Sequence, residues 1–220
     1  MKLNDFFGRV CYINLDKRVD RLKRIEYVLD QNDICAMRVP GIDGNKWGWI
    51  ADKYPHPMRA FNGVAGGTSV HIDIIRKALE DKRESVLLLE DDCEFTDNFQ
   101  EKFNEWSRFV PDNWDLLYLG GVGGKGRYIK GQENPHVLIV TNMMATHAYA
   151  VSKRAYKKVI DFMMDDFPYL TDSIDGYLKQ MQTILNAYTF NPPMVWQRAD
   201  YSDVQCGYRD YTTLFKQLFK

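Results

Sequence analysis

The sequence is short of most features that announce a function by themselves. Its four cysteines (Cys11, Cys35, Cys93, Cys206) show no CxxC and no Cys/His ligand spacing. That argues against a disulfide framework or a zinc ribbon, and for free thiols in a reducing compartment. The four histidines (His56, His71, His136, His147) form no i, i+4 pair and no HExxH, which disfavours a zinc hydrolase. No GxSxG elbow is present for a serine hydrolase. No run approaches the ~20 apolar residues needed to span a bilayer. The opening MKLNDFFGRV lacks the apolar stretch of a secretory signal. A net charge of -1 gives no broad field for nucleic acid or an anionic membrane. Internal repeats and low-complexity segments are absent too.

What is there reads as one globular domain over residues 1–220, with 45% hydrophobic and 27% charged residues. Val10 to Leu15 reads as a first strand, with Asp16 or Asp20 as cap of the next helix. Val19, Leu22, Ile25, Val28 and Leu29 recur at helical spacing and predict a helix over 18–30. Residues 37–40 are extended and Gly41 to Gly44 is a turn. Residues 44–66 show no period and read as a loop, either a lid or binding loop or a surface excursion packed by its own aromatics. Thr68 or Ser69 is expected to cap a helix whose apolar face is Val70, Ile74, Ile75, Ala78 and Leu79. A strand over 86–89 follows. Thr96 or Asp97 is expected to cap another helix, with Gln100 in capping-box position and Phe99, Phe103 and Trp106 buried. Further strands are expected at 115–119, 137–140 and 145–151. Ser152 and then Asp172 or Ser173 are expected to cap two late helices. Early strand–helix alternation predicts an α/β fold, with a mixed, mostly parallel sheet flanked by helices.

Gly121 to Gly126 matches GxGxxG by letter, but Arg127 to Pro135 is not helical, so no helix N-terminus is on offer to a pyrophosphate. Glu90-Asp91-Asp92 is different. Three acids end the apolar run Val86 to Leu89, where an unpaired buried charge is costly. Ligands bind at the carboxyl ends of strands in open α/β sheets. Alternation in an extended segment points Glu90 and Asp92 the same way. Two oxygen donors on one face suit Mg²⁺ or Mn²⁺, with the phosphates of a nucleotide completing the shell.

Several segments together resemble glycosyltransferase family 25, which includes lipooligosaccharide and collagen galactosyltransferases. They are Tyr12 to Asp16 with Arg18 and Arg21, Gly41 to Gly44, Gly66 to His71, Leu88 to Asp92, and Thr146 to Tyr149 before Ser152-Lys-Arg-Ala. Ile174-Asp175 and Gln197 with Ser202 to Gln205 follow. They occur in the family's order over nearly the whole chain. Where the family usually has Gly-Cys-x-x-Ser-His, this chain has Gly66-Gly67-Thr68-Ser69-Val70-His71.

The resemblance implies a GT-A-like fold, a UDP-sugar donor, divalent metal and inversion at the anomeric carbon. It implies Glu90 and Asp92 as metal ligands, with Asp203, Gln197 or water as a further one. Asp203 binding donor or acceptor instead is the other option. Asn14 and Asp16 are expected to meet the nucleobase, Arg18 or Arg21 the nucleotide, and Asp43 and Gly44 the ribose. Asp91 is expected to serve the ribose or a neighbouring backbone. Ser69 and His71 are expected to begin a helix pointing at the donor. Thr146, His147 and Tyr149 are expected in the sugar-pocket wall. Asp175 is the expected base for the acceptor hydroxyl.

The expected function is transfer of galactose or glucose from a UDP-sugar, with Mn²⁺ or Mg²⁺, to a hydroxyl of a glycan or a hydroxylysine-type acceptor. The rival from another class is a non-catalytic binding protein on the same fold. A nucleotidyltransferase is disfavoured because no glycine- and lysine-rich phosphate loop follows the first strand. The expected location is cytoplasmic, bacterial or viral. The apolar spacing of Tyr211, Leu214, Phe215, Leu218 and Phe219 suits docking of the tail on the core, a homodimer or a membrane surface.

Overall fold

Ser85 to Leu89 are buried without interruption, and this strand organises the fold. In the computed structural model, which describes residues 1–44, 61–131, 135–166, 172–204 and 207–212, it is the third strand in chain order. The elements run α1 (Leu3–Phe6), β1 (Val10–Asn14), α2 (Val19–Gln31), β2 (Met37–Pro40), α3 (Phe61–Glu80), β3 (Ser85–Glu90), β4 (Cys93–Phe95) and α4 (Phe99–Trp106). They continue with β5 (Leu116–Tyr118), β6 (Lys125–Tyr128), β7 (Val137–Thr141), β8 (Ala148–Ser152), α5 (Tyr156–Asp166) and α6 (Ile174–Met181). The chain then forms β9 (Ala187–Phe190), β10 (Val195–Gln197), β11 (Asp200–Ser202) and β12 (Gly207–Arg209).

Eight strands form one sheet in the order β2-β1-β3-β8-β5-β9-β7-β6. β8 and β7 run against the other strands, so the sheet is mixed and mostly parallel in direction. Both faces are covered, which explains why Val86 to Leu89 of β3 are apolar at every position. Val86 and Leu88 join α3, α5 and α6 in one core, through Ile72, Ile75, Tyr156, Val159, Tyr177 and Leu178. Leu87 and Leu89 join α1, α2 and α4 in the other, through Leu3, Ile25, Leu29, Phe99 and Phe103. This is the GT-A-like α/β architecture expected. Among the described residues no helix is long and apolar enough to cross a membrane.

Several local expectations are corrected. α3 begins at Phe61, well before Thr68 and Ser69, so neither caps it. Gly63, Gly66 and Gly67 look like breakers in sequence, yet Gly66 is there for packing. A Cβ on it would lie 2.4 Å from the Ile42 carbonyl oxygen and 3.0 Å from the Gly44 nitrogen. Buried Ile72, Ile74, Ile75 and Ala78 then hold the helix on the sheet, while Leu79 is exposed. The N-cap of α2 is Arg18, not Asp16 or Asp20, and that of α4 is Asn98 in the left-handed region. Gln100 forms no capping box. Its side chain ties Leu3 N, Asn32 O and Asp33 O together instead. Ser152 belongs to β8 and precedes α5 by several residues. Residues 125–128, which overlap the end of the GxGxxG match, form the edge strand β6, and no helix follows the glycines. Residues 45–60 of the expected loop, the tail from 213 and Cys206 lie outside the described residues. The three described cysteines are free thiols.

Candidate active site

Because β1, β2 and β3 are parallel, the residues that follow them emerge on one edge of the sheet. They are Asn14 to Asp16, Gly41 to Gly44, and the acids Glu90 to Asp92. β8 runs the other way, so Thr146 and His147, just before it, reach the same edge, and Glu90 N donates to His147 O at 2.8 Å. A cavity of about 410 Å³ opens there. It is closed on one side by α3, on another by the start of α6, and at the mouth by the β11–β12 hairpin.

The acids are held from three directions. Asp91 accepts from Asn14 Nδ2 at 2.7 Å and from Arg21 Nη1 at 2.8 Å. Arg21 Nη1 also reaches Asp92 at 3.1 Å, while its Nε donates to Asp200 at 3.1 Å and its Nη2 to Tyr201 O at 2.9 Å. Gln197 Nε2 donates to Glu90 at 3.1 Å and lies 3.5 Å from Asp92. Thr146 Oγ1 donates to Glu90 at 3.2 Å. The strict alternation expected of 90, 91 and 92 does not hold, because β3 ends at Glu90 and the next two residues form a turn. All three acids line the cavity.

Burial pushes the Glu90 carboxyl up to about 8, helped by the charges of Asp92 and Asp91. Burial likewise raises Asp92, to about 6, against the opposing pull of Arg21. Removal from water and the repulsion of neighbouring acids hold both carboxyls above the usual range in spite of Arg21. Among the described residues that line the cavity, carboxyl groups outnumber guanidiniums seven to three: Asp43, Glu90, Asp91, Asp92, Asp175, Asp200 and Asp203 against Arg21, Arg198 and Arg209.

Of the residues expected from sequence, Arg21, Asp43, Gly44, His71, Glu90, Asp91, Asp92, Thr146, Asp175 and Asp203 line this cavity. Asn14, Asp16, Arg18, Ser69, His147 and Tyr149 do not. Asn14 is buried and occupied, giving Nδ2 to Asp91 and accepting from Arg38 Nη2 at 2.9 Å. Asp16 is exposed and paired with Arg38 at 2.6 Å. Arg18 pairs with Asp203 at 2.6 Å and with Asp20 at 3.0 Å. Ser69 returns its hydroxyl to Ala65 O at 2.7 Å, the back-bond of a mid-helix serine.

His71 is mid-helix, not at a helix start, and its Nδ1 lies 2.9 Å from the Tyr149 hydroxyl. Burial pushes its pKa down to about 3, so the ring is neutral. Burial also lowers His147, to about 4, and its Nε2 donates to Val195 O at 3.2 Å. Gly120 makes room for that contact, since a Cβ there would lie 1.8 Å from the same oxygen. His147 and Tyr149 therefore brace the wall from behind.

Asp203 is tied to Arg18 and to Lys17, the latter at 3.3 Å, and Lys17 also reaches Asp43 at 3.2 Å. These pairs latch the hairpin over the mouth. Asp175 accepts from the Ser173 hydroxyl and from Gly176 N at 3.1 Å. Sequence reasoning missed Arg198, Asp200 and Arg209. Arg198 lies between β10 and β11, Asp200 in β11 and Arg209 in β12, and the run Gln197-Arg198-Ala199-Asp200 was the one signal for the first two. It also missed Thr68 as a site residue. Thr68 is fully buried and lines the cavity, and its hydroxyl has no hydrogen-bond partner among the described residues.

The chain is similar to several known proteins. Solved structures that resemble the chain include a glycosyltransferase involved in glycosylation of the major capsid of PBCV-1 (11% identity, TM-score 0.39, 70% of this chain and 66% of that one). Another is the glycosyltransferase GlyE of Streptococcus pneumoniae (9%, TM-score 0.42, 83% and 45%). Among curated relatives, procollagen galactosyltransferase 2 of Mus musculus is 22% identical over 174 residues, covering 70% of this chain and 27% of the mouse protein. The procollagen lysyl hydroxylase and glycosyltransferase of Acanthamoeba polyphaga mimivirus is 25% identical over 177 residues, covering 70% of this chain and 19% of the viral protein. The chain thus spans about a quarter or less of the length of these relatives. Residues 9–174 match glycosyltransferase family 25 (LPS biosynthesis protein). That match runs from β1 through α3 and the acids to the first residue of α6, and by it the chain belongs to glycosyltransferase family 25.

Proposed function

We propose that this chain transfers galactose or glucose from a UDP-sugar to a hydroxyl of a glycan or a hydroxylysine-type acceptor, with a divalent cation and with inversion at the anomeric carbon. One observation carries the reading: among the described residues lining the cavity at the carboxyl edge of the sheet, seven bear carboxyl groups and three bear guanidiniums. A nucleotide diphosphate is repelled by such walls unless a cation enters with it. The mouse relative, named a galactosyltransferase, supports galactose as the transferred sugar.

The donor set suits Mn²⁺ or Mg²⁺. Glu90 and Asp92 offer oxygen atoms, and burial beside one another and Asp91 raises both carboxyls, a cost that a cation bound between them would relieve. Among the described residues no group of three His, Cys, Asp or Glu is arranged to hold a metal ion. Two protein carboxylates with diphosphate and water are therefore the set proposed, and Asp203, engaged by Arg18 and Lys17, is a donor or hairpin contact. A cation there would offset the diphosphate charge and stabilise UDP as it leaves.

The chain's own residues do the rest. Gln197 and Thr146 orient Glu90, while Asn14 and Arg21 hold Asp91. Asp175, fixed by Ser173 and Gly176 N, accepts the proton of the acceptor hydroxyl as its oxygen bonds to C1 and the C1–O bond to UDP breaks.

The test is UDP release from a panel of UDP-sugars with Mn²⁺, with EDTA, and with Asp92→Ala. Release from one donor, lost with EDTA and in the variant, is expected. No release with any acceptor, together with no Mn²⁺-dependent UDP binding, would overturn the reading in favour of a non-catalytic binding protein.

A further inference from the structure

On α3, Val64, Gly67, Thr68 and His71 stand at i, i+3, i+4 and i+7, and all four line the cavity. Two of them are out of place in a purely structural helix. Thr68 is 0% exposed, and its hydroxyl has no hydrogen-bond partner among the described residues. A hydroxyl buried in that way costs free energy that a methyl group would not. Gly67 beside it weakens a helix interior, yet a Cβ built there meets nothing within 4 Å. Among the described residues no neighbour requires that glycine, and the space beside it is open.

The chemistry of this wall selects its ligand. None of the cavity-lining residues of α3 (Gly63, Val64, Gly67, Thr68, Val70, His71) carries a charge. His71 stays neutral because burial depresses its pKa. Phosphate oxygens belong with the guanidiniums and the proposed cation on the opposite walls. A lone hydroxyl, donor and acceptor at once, suits another alcohol.

We propose that Thr68 sets the sugar specificity of the site: its hydroxyl hydrogen-bonds one hydroxyl of the transferred hexose, which occupies the room left by Gly67. This rests on the nucleotide-sugar reading above. A site built around a sugar hydroxyl discriminates strongly against a donor that leaves its own buried hydroxyl unpaired.

Titration calorimetry with Mn²⁺ tests it, using UDP, UDP-galactose and UDP-glucose against wild type, Thr68→Val and Thr68→Ser. UDP should bind equally to all three proteins. The preferred UDP-hexose should bind about tenfold more weakly to Thr68→Val and recover in Thr68→Ser, with the galactose–glucose preference narrowed. The melting temperature of Thr68→Val should equal or exceed that of wild type, because no protein partner is lost. Gly67→Ala is the second variant and should weaken the UDP-hexose but not UDP. The inference is overturned if both variants leave the hexose contribution unchanged, or weaken UDP and UDP-hexose alike. Wild type that binds UDP without any gain from the hexose overturns it too. Wild type that binds no UDP at all removes the nucleotide-sugar reading, and this inference with it.

Discussion

Arg21 Nη1 lies 2.8 Å from Asp91 Oδ1, and both side chains are about nine-tenths buried. The same guanidinium reaches Asp92 and Asp200, so one cation joins the sheet edge to the hairpin at the cavity mouth. Replacing Arg21 by Ala leaves the acids without their counter-ion. Breaking a buried pair in this way costs about 3–5 kcal/mol. Urea unfolding of Arg21→Ala without metal should show a loss of that order, and Mn²⁺ should raise the melting temperature more in the variant than in wild type. Equal stability of the two proteins would mean the acids are already neutral.

Asp175 lies at the start of α6, where an acid also favours the helix dipole. The two roles separate in kinetics. Asp175→Asn keeps the size and hydrogen bonding of the side chain but cannot take a proton. Its turnover should fall by about 10²–10⁴ with the affinity for UDP unchanged. A loss of UDP affinity in place of turnover would assign Asp175 to binding.

His71 makes stability depend on pH. Its pKa falls from the ordinary 6.5 to about 3 in the folded chain, so below about 6.5 the unfolded chain takes a proton that the native ring refuses. The native state is therefore fully favoured above about 6.5 and loses stability as pH falls, by about 2 kcal/mol at pH 5. Glu90 and Asp92, raised by burial, act in the opposite sense and stabilise as pH falls from about 8. The difference between wild type and His71→Gln isolates the histidine. The variant should lose about 2 kcal/mol less than wild type between pH 7 and pH 5 in urea unfolding.

Gly66 allows α3 to touch the Gly41 to Gly44 turn. In Gly66→Ala the new methyl group meets the Ile42 carbonyl at 2.4 Å, and that backbone has to move. A loss of about 1–3 kcal/mol is expected, against the usual gain from Ala in a helix. Thermal unfolding reads it directly, and a more stable variant would show that the turn yields freely.

Strands β1, β3, β5, β7 and β8, the later helices and the acids were legible in the sequence because they rest on local patterns. Val86 to Leu89 is apolar at every position, which marks a strand covered on both faces. Glu90 to Asp92 breaks that run abruptly. Helix α2 shows its 3.6-residue period, and its arginine was visible as a candidate, though not as the partner of the acids. The family resemblance added Asp175, which periodicity alone would leave as an ordinary acid in a first helical turn.

Tertiary structure decided the rest. Helix α3 extends through Gly63, Gly66 and Gly67 because packing on the sheet outweighs the weak helix propensity of glycine. That is why Ser69 became a mid-helix residue and Thr68 a cavity wall. Asn14 looked like a base-binding residue, yet folding set Asp91 and Arg38 against it and used its amide in holding the acids. Arg198 and Asp200 follow β10, whose partner β4 is remote in sequence, and Arg209 reaches the same cavity through the β11–β12 hairpin. Sequence by itself determined which segments bury and where charge interrupts them, since both follow from the order of side chains along one strand or helix. Which acids share a cation, which hydroxyl lacks a partner and which wall is uncharged depend on contacts between distant segments, and only the folded chain sets those distances.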